Sequence, residues 1–302
     1  MRILITDGMD KSAIARLREL GHEVVEQFYE PEALGTALRD FDAVVVRSKT
    51  KVRQNHIDEA KGGKLKLIIR GGVGVDNIDV AYAESQGITV RNTPGASSQS
   101  VAEMAMGHMF ACCRYISIAG STMRQGKWEK KAYGKGMELQ GKTLGIIGCG
   151  RIGQKLAVMA KAIGMKVIFT GRSPKPELVA QGFTQVTMEE LLAQSDFISL
   201  HTPALQGKPL INADTIAQMK DGVVIINTSR GANIDEDALL AALESGKVRA
   251  AGLDVFAQEP TANEALYNHP MVSCTPHIGA ATGEAQKRIG GEVVDIIESF
   301  KA

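Results

Sequence analysis

Leu144-Gly145-Ile146-Ile147-Gly148-Cys149-Gly150-Arg151-Ile152-Gly153 decides the fold. An apolar run reads as a buried strand, three glycines follow in the spacing GxGxxG, and Leu156, Ala157, Met159 and Ala160 then recur with a helical period. Each glycine has its own task in such a turn. The first permits the tight bend, the second lets the backbone approach a pyrophosphate, and the third lets helix and strand pack closely. The pyrophosphate sits at a helix N-terminus, where free N–H groups and the helix dipole favour an anion. Gly148, Gly150, Arg151, Ile152 and Gly153 are therefore the expected contacts of a dinucleotide cofactor. A second string, Gly72-Val73-Gly74-Val75-Asp76-Asn77, begins alike but lacks the third glycine, and reads as a substrate loop.

Outward from this turn, short β-branched runs alternate with helical patterns, the signature of βαβ units and of parallel sheets. From residue 142 onward, segments 143–148, 166–170, 197–201, 223–227, 250–255 and 272–275 read as six strands, the count of a doubly wound dinucleotide-binding sheet. Earlier, residues 2–6, 43–47, 67–69 and 89–90 read as strands of another open sheet, with helices near 11–20 and 76–86. The chain breaks at Asn92-Thr93-Pro94-Gly95, a long helical pattern covers about 98–124, and a polar stretch runs over 125–141. The final helix, 283–300, has no strand after it and is expected to return to the first domain. The fold class is α/β with two open parallel-sheet domains, one flavodoxin-like and one Rossmann. The expected division gives 1–95 plus 281–302 to a substrate domain and 96–280 to a dinucleotide-binding domain.

Composition narrows the partners. At 302 residues the chain exceeds a typical domain of roughly 100 to 200 residues, and its 44% hydrophobic content can fill two cores. Its 35 basic and 34 acidic side chains are scattered, so neither nucleic acid nor an anionic membrane is expected as a partner. The opening residues Met1-Arg2-Ile3-Leu4-Ile5-Thr6-Asp7 turn polar too soon for a secretory signal. The most apolar helix-like stretch, 101–113, contains Glu103 and is well short of the ~20 residues a bilayer span requires. A cytoplasmic protein is expected. Cys112, Cys113, Cys149 and Cys274 show neither CxxC spacing nor the density of a disulfide scaffold, and read as reduced, buried thiols. No metal site is expected, because the histidines do not pair with the cysteines at ligand spacing.

The strand after the glycine turn ends Phe169-Thr170-Gly171-Arg172-Ser173. An NAD site usually places an acid there to receive the ribose hydroxyls. None is present, and Arg172 and Ser173 can bind a 2′-phosphate through charge-assisted hydrogen bonds. NADP(H) is favoured, with NAD(H) still open.

Ligands of open α/β sheets bind beyond the carboxyl ends of the strands. There the sequence offers Thr228-Ser229-Arg230-Gly231, Glu259, and Pro276-His277-Ile278-Gly279. Reducing a small 2-oxo acid requires a cation for its carboxylate, a donor to polarise its carbonyl and an acid to protonate the developing alkoxide. The planar guanidinium of Arg230 meets the first two needs, and His277, oriented by the Glu259 carboxylate, meets the third. His22, His56, His108, His201 and His269 have no such setting and are assigned surface or core roles.

These motifs, with Asn227-Thr228-Ser229-Arg230-Gly231 and Gly252-Leu253-Asp254-Val255-Phe256 followed by Glu259-Pro260, resemble the D-isomer-specific 2-hydroxyacid dehydrogenases over nearly the whole chain. The resemblance implies Arg230, Glu259 and His277 as the catalytic set, with Thr228, Asp254 and Gly279 at the cofactor and Asp254 holding the nicotinamide carboxamide. Within the family, Val46-Arg47-Ser48-Lys49-Thr50-Lys51-Val52, Arg70-Gly71-Gly72-Val73-Gly74 and Gly126-Lys127-Trp128-Glu129-Lys130-Lys131 are most similar to the branch that oxidises 3-phospho-D-glycerate. Backbone N–H groups of the Gly72, Val73 and Gly74 loop can cradle the substrate carboxylate, and Arg47 and Arg70 can meet a phosphate. Two features depart from that branch. Thr170-Gly171-Arg172 looks more like the NADPH-dependent glyoxylate and hydroxypyruvate reductases, and the chain ends at Ala302, where no C-terminal regulatory domain is expected. The resemblance also implies a homodimer built through an arm at about 98–141. A non-catalytic dinucleotide sensor of the corepressor kind is the alternative from another class. A formate dehydrogenase fits less well, since formate has no 2-hydroxyl for His277 and Glu259 to serve.

Overall fold

Five short strands build the first sheet: β1 (Arg2–Ile5), β2 (Glu23–Glu26), β3 (Ala43–Val46), β4 (Leu67–Arg70) and β5 (Thr89–Asn92). All pair in parallel, in the order β2-β1-β3-β4-β5, which is the flavodoxin-like arrangement. The central strand Ala43-Val44-Val45-Val46 is buried at every position, as expected where helices cover both faces of a sheet. β2 escaped the sequence reading because its two valines lie between glutamates on an exposed edge. The helices Pro31–Leu38 and Gln54–Ala60 were likewise unanticipated. The helix expected over 76–86 begins only at Val80. A turn at 76–77 and a bridge from Ile78 to Val52 precede it, with the Val52 amide donating to Asn77 O and its carbonyl accepting from Asp79 N.

The computed structural model describes residues 1–204 and 207–300, and the chain divides into two compact units. The first comprises Met1–Ser98 with the segment from Ala280 onward, and the second Gln99–Gly279. In the first unit the helix Gly283–Ser299 packs on the helix Lys11–Glu19. Ile289, Val293 and Ile297 share one core with Ile3, Ile5 and Leu17. The two helices approach closely at Gly290, where a Cβ would lie 2.7 Å from that of Ala13.

The second unit carries β6 (Thr143–Ile147), β7 (Lys166–Thr170), β8 (Thr184–Gln185), β9 (Phe197–Leu200), β10 (Val223–Asn227), β11 (Val248–Leu253) and β12 (Val272–Cys274). Their order is β12-β11-β10-β9-β6-β7-β8, a doubly wound parallel sheet with one strand more than expected. β8 is only two residues long, too short to leave a periodic pattern. Along β10, Val224 and Ile226 enter one core while Val223 and Ile225 enter the other, so both faces are covered. Strand order reverses on either side of β6, and the glycine turn leaves the carboxyl end of β6 at this switch point.

The single helix expected over 98–124 is two, Ser98–Arg114 and Ile116–Arg124. Between them Tyr115 adopts a left-handed conformation with φ 57°. Tertiary contacts hold it there: its hydroxyl donates to Lys135 O at 3.1 Å and accepts from Arg249 Nη2 at 3.1 Å, and its ring lies 5.7 Å from that of Tyr133. Among the described residues no helix is long and apolar enough to cross a membrane.

Candidate active site

The three fingerprint glycines prove distinct in space. Gly148 has φ 91°, and a Cβ there would lie 2.6 Å from Thr202 Cγ2 and 2.9 Å from His201 O. A Cβ on Gly153 would meet Gly148 O at 2.7 Å, so the helix Arg151–Ala162 sits as close to β6 as backbone allows. A Cβ on Gly150 would meet nothing within 4 Å, which leaves its backbone open to an approaching anion. No side chain caps the first turn of that helix, so its N-terminal amides point outward unsatisfied by the chain. At the end of β10, Thr228 Oγ1 is buried with no partner among the described residues. This donor and acceptor set fits a dinucleotide phosphate group. Beyond β7, Gly171, Arg172 and Ser173 are exposed, and Gln185 secures the loop through Ser173 O and Lys175 N, each at 3.0 Å. The first acid after the strand, Glu177, is 4.0 Å from Lys175.

Arg230, Glu259 and His277 come from three successive strand ends, and the structure gathers them. His277 Nδ1 lies 2.7 Å from Glu259 Oε2, while Glu259 Oε1 accepts from Phe256 N at 3.2 Å. Burial pushes the Glu259 pKa up. The hydrogen bond and charge of His277, the Phe256 amide and the Arg230 charge outweigh it, and the pKa ends below the usual carboxylate range. Arg230 is aimed by the fully buried Asn227, whose Nδ2 donates to Arg230 O at 2.9 Å and whose Oδ1 accepts Ser229 N and Oγ. The arginine loop fits against the glutamate loop because Gly231 has no side chain. A Cβ there would fall 1.9 Å from the Phe256 carbonyl.

His277 itself has φ 53°, a conformation that costs a non-glycine residue roughly 1–2 kcal/mol. Asp254 holds it. The Asp254 carbonyl accepts His277 N at 2.8 Å, and its carboxylate accepts Ile278 N and Gly279 N at 2.8 Å each and Thr275 Oγ1 at 2.6 Å. In this structure Asp254 therefore fixes the turn that carries His277. Sequence reasoning singled out Asp254 but not this work, and it missed Glu236, which accepts Ala257 N at 2.7 Å and Asn263 Nδ2 at 2.9 Å and so secures the Glu259 loop.

In the first unit, Arg47 and Arg70 leave adjacent strands and flank one turn. Arg47 Cγ is 3.7 Å, and the Arg70 guanidinium 1.4 Å, from where Cβ atoms on Gly71 and Gly72 would stand. Asp7 pins the Arg47 loop by accepting Arg47 N at 2.8 Å and Thr50 N at 2.9 Å, and Asn77 Nδ2 donates to Arg47 O at 2.7 Å. Neither Asp7 nor Asn77 stands out in sequence. Val73 is partly exposed, with its carbonyl taken by Asn92 Nδ2 at 2.5 Å.

The thiols of Cys112, Cys113 and Cys149 are buried, and burial pushes them up to about 12, about 11 and about 11. Cys274, expected to be buried, is exposed, because β12 is the edge of its sheet.

The model for the NAD-binding domain of D-isomer-specific 2-hydroxyacid dehydrogenases matches residues 106–279. A hydroxypyruvate reductase of Thermotoga maritima is 48% identical, covering 98% of this chain and 97% of the relative. A D-3-phosphoglycerate dehydrogenase of Methanocaldococcus jannaschii is 45% identical over 99% of this chain, which spans only 57% of that protein's length. The crystal structure of a glyoxylate reductase from Paecilomyes thermophila superposes with a TM-score of 0.88 at 35% identity, covering 99% of this chain and 94% of that one.

Proposed function

The chain belongs to the D-isomer-specific 2-hydroxyacid dehydrogenases, oxidoreductases that act on a CH–OH group with a nicotinamide dinucleotide, and from that premise we propose that it interconverts 3-phospho-D-glycerate and 3-phosphohydroxypyruvate. The observation that carries the phosphorylated substrate is the pair Arg47 and Arg70 on either side of the Gly71-Gly72 turn. A turn with the Arg70 guanidinium over Gly72 and the Arg47 side chain passing beside Gly71 suits a phosphate dianion better than a neutral hydroxymethyl group.

In this reading a nicotinamide dinucleotide held at the glycine turn would supply the hydride chemistry. Arg230 grips the carboxylate and polarises the C2 carbonyl, and His277 donates its proton to the C2 oxygen in reduction and removes it in oxidation. Glu259 stabilises the protonated imidazole. The glycine turn, Thr228 and Gly279 receive the cofactor, and the missing acid at Gly171 with Arg172 and Ser173 beside it favours NADP(H) over NAD(H). The Gln99–Gly279 unit is then the cofactor domain and the other the substrate domain. In the same reading two copies associate through the arm at about 98–141, and the exposed Ile116, Met123 and Trp128 support this.

A second reading, reduction of unphosphorylated hydroxypyruvate or glyoxylate, is favoured by the similarity to the Thermotoga maritima enzyme and by the Thr170-Gly171-Arg172 string. Initial rates with NADPH and NADH, each against 3-phosphohydroxypyruvate, hydroxypyruvate and glyoxylate, separate the two. The proposal expects the phosphorylated substrate to be preferred, with the preference lost in Arg47→Ala and Arg70→Ala. Faster turnover of hydroxypyruvate or glyoxylate by the parent protein refutes it in favour of the second reading.

A further inference from the structure

Behind the left-handed turn of His277 lies a buried polar chain. His108, on the helix Ser98–Arg114, is 3% exposed, with Nδ1 3.0 Å from Ser273 Oγ and Nε2 3.0 Å from Thr275 Oγ1. Ser117 Oγ lies 3.0 Å from Ser273 Oγ. The far end fixes a proton on one ring nitrogen. Thr275 has one hydroxyl proton and gives it to Asp254 Oδ1 at 2.6 Å, a far better acceptor than the Met104 sulfur at 4.0 Å. Thr275 Oγ1 must then accept from His108, which puts the imidazole proton on Nε2. Burial, opposed by the Asp254 charge, lowers the His108 pKa and favours the neutral ring. In that form Nδ1 accepts the Ser273 hydroxyl, and Ser273 Oγ in turn accepts from Ser117.

Room for the ring is made on purpose at β11. A Cβ on Gly252 would lie 2.5 Å from His108 Cβ. The chain from Gly252 through His108, Thr275 and Asp254 ends on the amides of Ile278 and Gly279, and so on the backbone that aims His277 at Glu259.

We infer that His108 is a positioning residue for the reaction: as the Nε2–H tautomer it locks Thr275 onto Asp254 and thereby holds His277 in its working orientation. The inference rests on the reading of His277 as the proton donor. His108 is buried behind the turn and acts through Thr275 and Asp254, so its signature is a loss in kcat without a loss of binding.

The test compares His108→Met, which fills similar space without a donor or acceptor, with His108→Gln, which keeps an N–H that can reach Thr275, and with Thr275→Val and the His108→Met/Thr275→Val double variant. With the parent's best 2-oxo acid, kcat of His108→Met is expected to fall roughly tenfold, the effect of one well-oriented hydrogen bond. KM and the cofactor Kd should stay within about twofold, and His108→Gln should recover most of the rate. Thr275→Val should show the same loss and the double variant no more, because the two residues act in series. A folded His108→Met protein with the parent's kcat, no rescue by Gln, or losses that multiply in the double variant overturns the inference. Nitrogen-15 NMR of the histidine rings in the parent supplies a readout free of turnover and of variant folding. A protonated Nε2 with bare Nδ1 on His108 supports the chain, and the opposite tautomer or a charged ring at neutral pH overturns it. If the parent turns over no 2-oxo acid the proposed function fails, while the NMR result still decides the hydrogen-bonded chain.

Discussion

Replacing Glu259 by Gln removes one charge and almost no volume. The carbonyl oxygen of Gln can still accept the proton on His277 Nδ1, now 2.7 Å from Glu259 Oε2, so the ring keeps its partner and loses only the electrostatic part of the bond. A hydrogen bond between two charged groups contributes roughly 1.5–3 kcal/mol. The side chains of His277 and Glu259 are 41% and 38% exposed, and solvent screening takes the estimate to the lower end, about 1.5 kcal/mol. That corresponds to about a tenfold loss in kcat/KM for reduction near neutral pH. The Glu259 pKa lies below the usual carboxylate range, so the charge is present at neutral pH and is lost only as pH falls through that lowered value. The difference between parent and Gln variant should therefore persist from neutral into mildly acidic pH and close only at strongly acidic pH. Steady-state kcat/KM against pH reads this out. A variant with the parent's rate at neutral pH would refute the assignment of Glu259 as the charge behind His277.

Gly153→Ala should weaken cofactor binding at least tenfold and lower Tm, because its methyl would meet Gly148 O at 2.7 Å and push the helix Arg151–Ala162 from the turn; calorimetry with NADPH checks both. Gly171→Asp, at a position where a Cβ meets nothing within 4 Å, should leave folding intact and shift the kcat/KM ratio toward NADH, since the new carboxylate repels a 2′-phosphate and accepts ribose hydroxyls. An unchanged ratio would remove Gly171 from cofactor choice. An aromatic disulfide reagent should modify one thiol, Cys274, in the native protein at mildly alkaline pH and four after denaturation, because burial pushes the other three up to about 11 or 12. Trp128→Ser, at an 80% exposed aromatic residue, should lower the sedimentation coefficient toward that of a single chain if the segment joins two copies.

What the sequence disclosed depended on how local each cause was. The turn Gly148 to Gly153 was legible because strand, bend and helix are adjacent in the chain and Gly153 answers to Gly148 O a few residues back, whereas the crowding of Gly148 by Thr202 and His201 was not. Arg230, Glu259 and His277 were legible as polar residues at strand ends, where an open sheet gathers its ligands. β8 and β2 were not, one being two residues long and the other framed by glutamates at an edge. The break at Tyr115 was hidden in a continuous apolar pattern because Arg249 and Lys135, distant in sequence, impose it. The same holds for His108, whose partners Ser273 and Thr275 are 165 and 167 residues away. Gly231 could be seen in its motif, but its reason, the Phe256 backbone against it, exists only once β10 and β11 are paired.

The most direct test of the account follows one deuterium atom. NADPH deuterated at the transferring C4 position is incubated with the preferred 2-oxo acid, and the product is examined by chiral chromatography and mass spectrometry. The account predicts a D-2-hydroxy acid carrying one deuterium at C2, formed by the parent and lost in His277→Gln. A product without deuterium at C2, an L-product, or equal turnover by the His277 variant would contradict it.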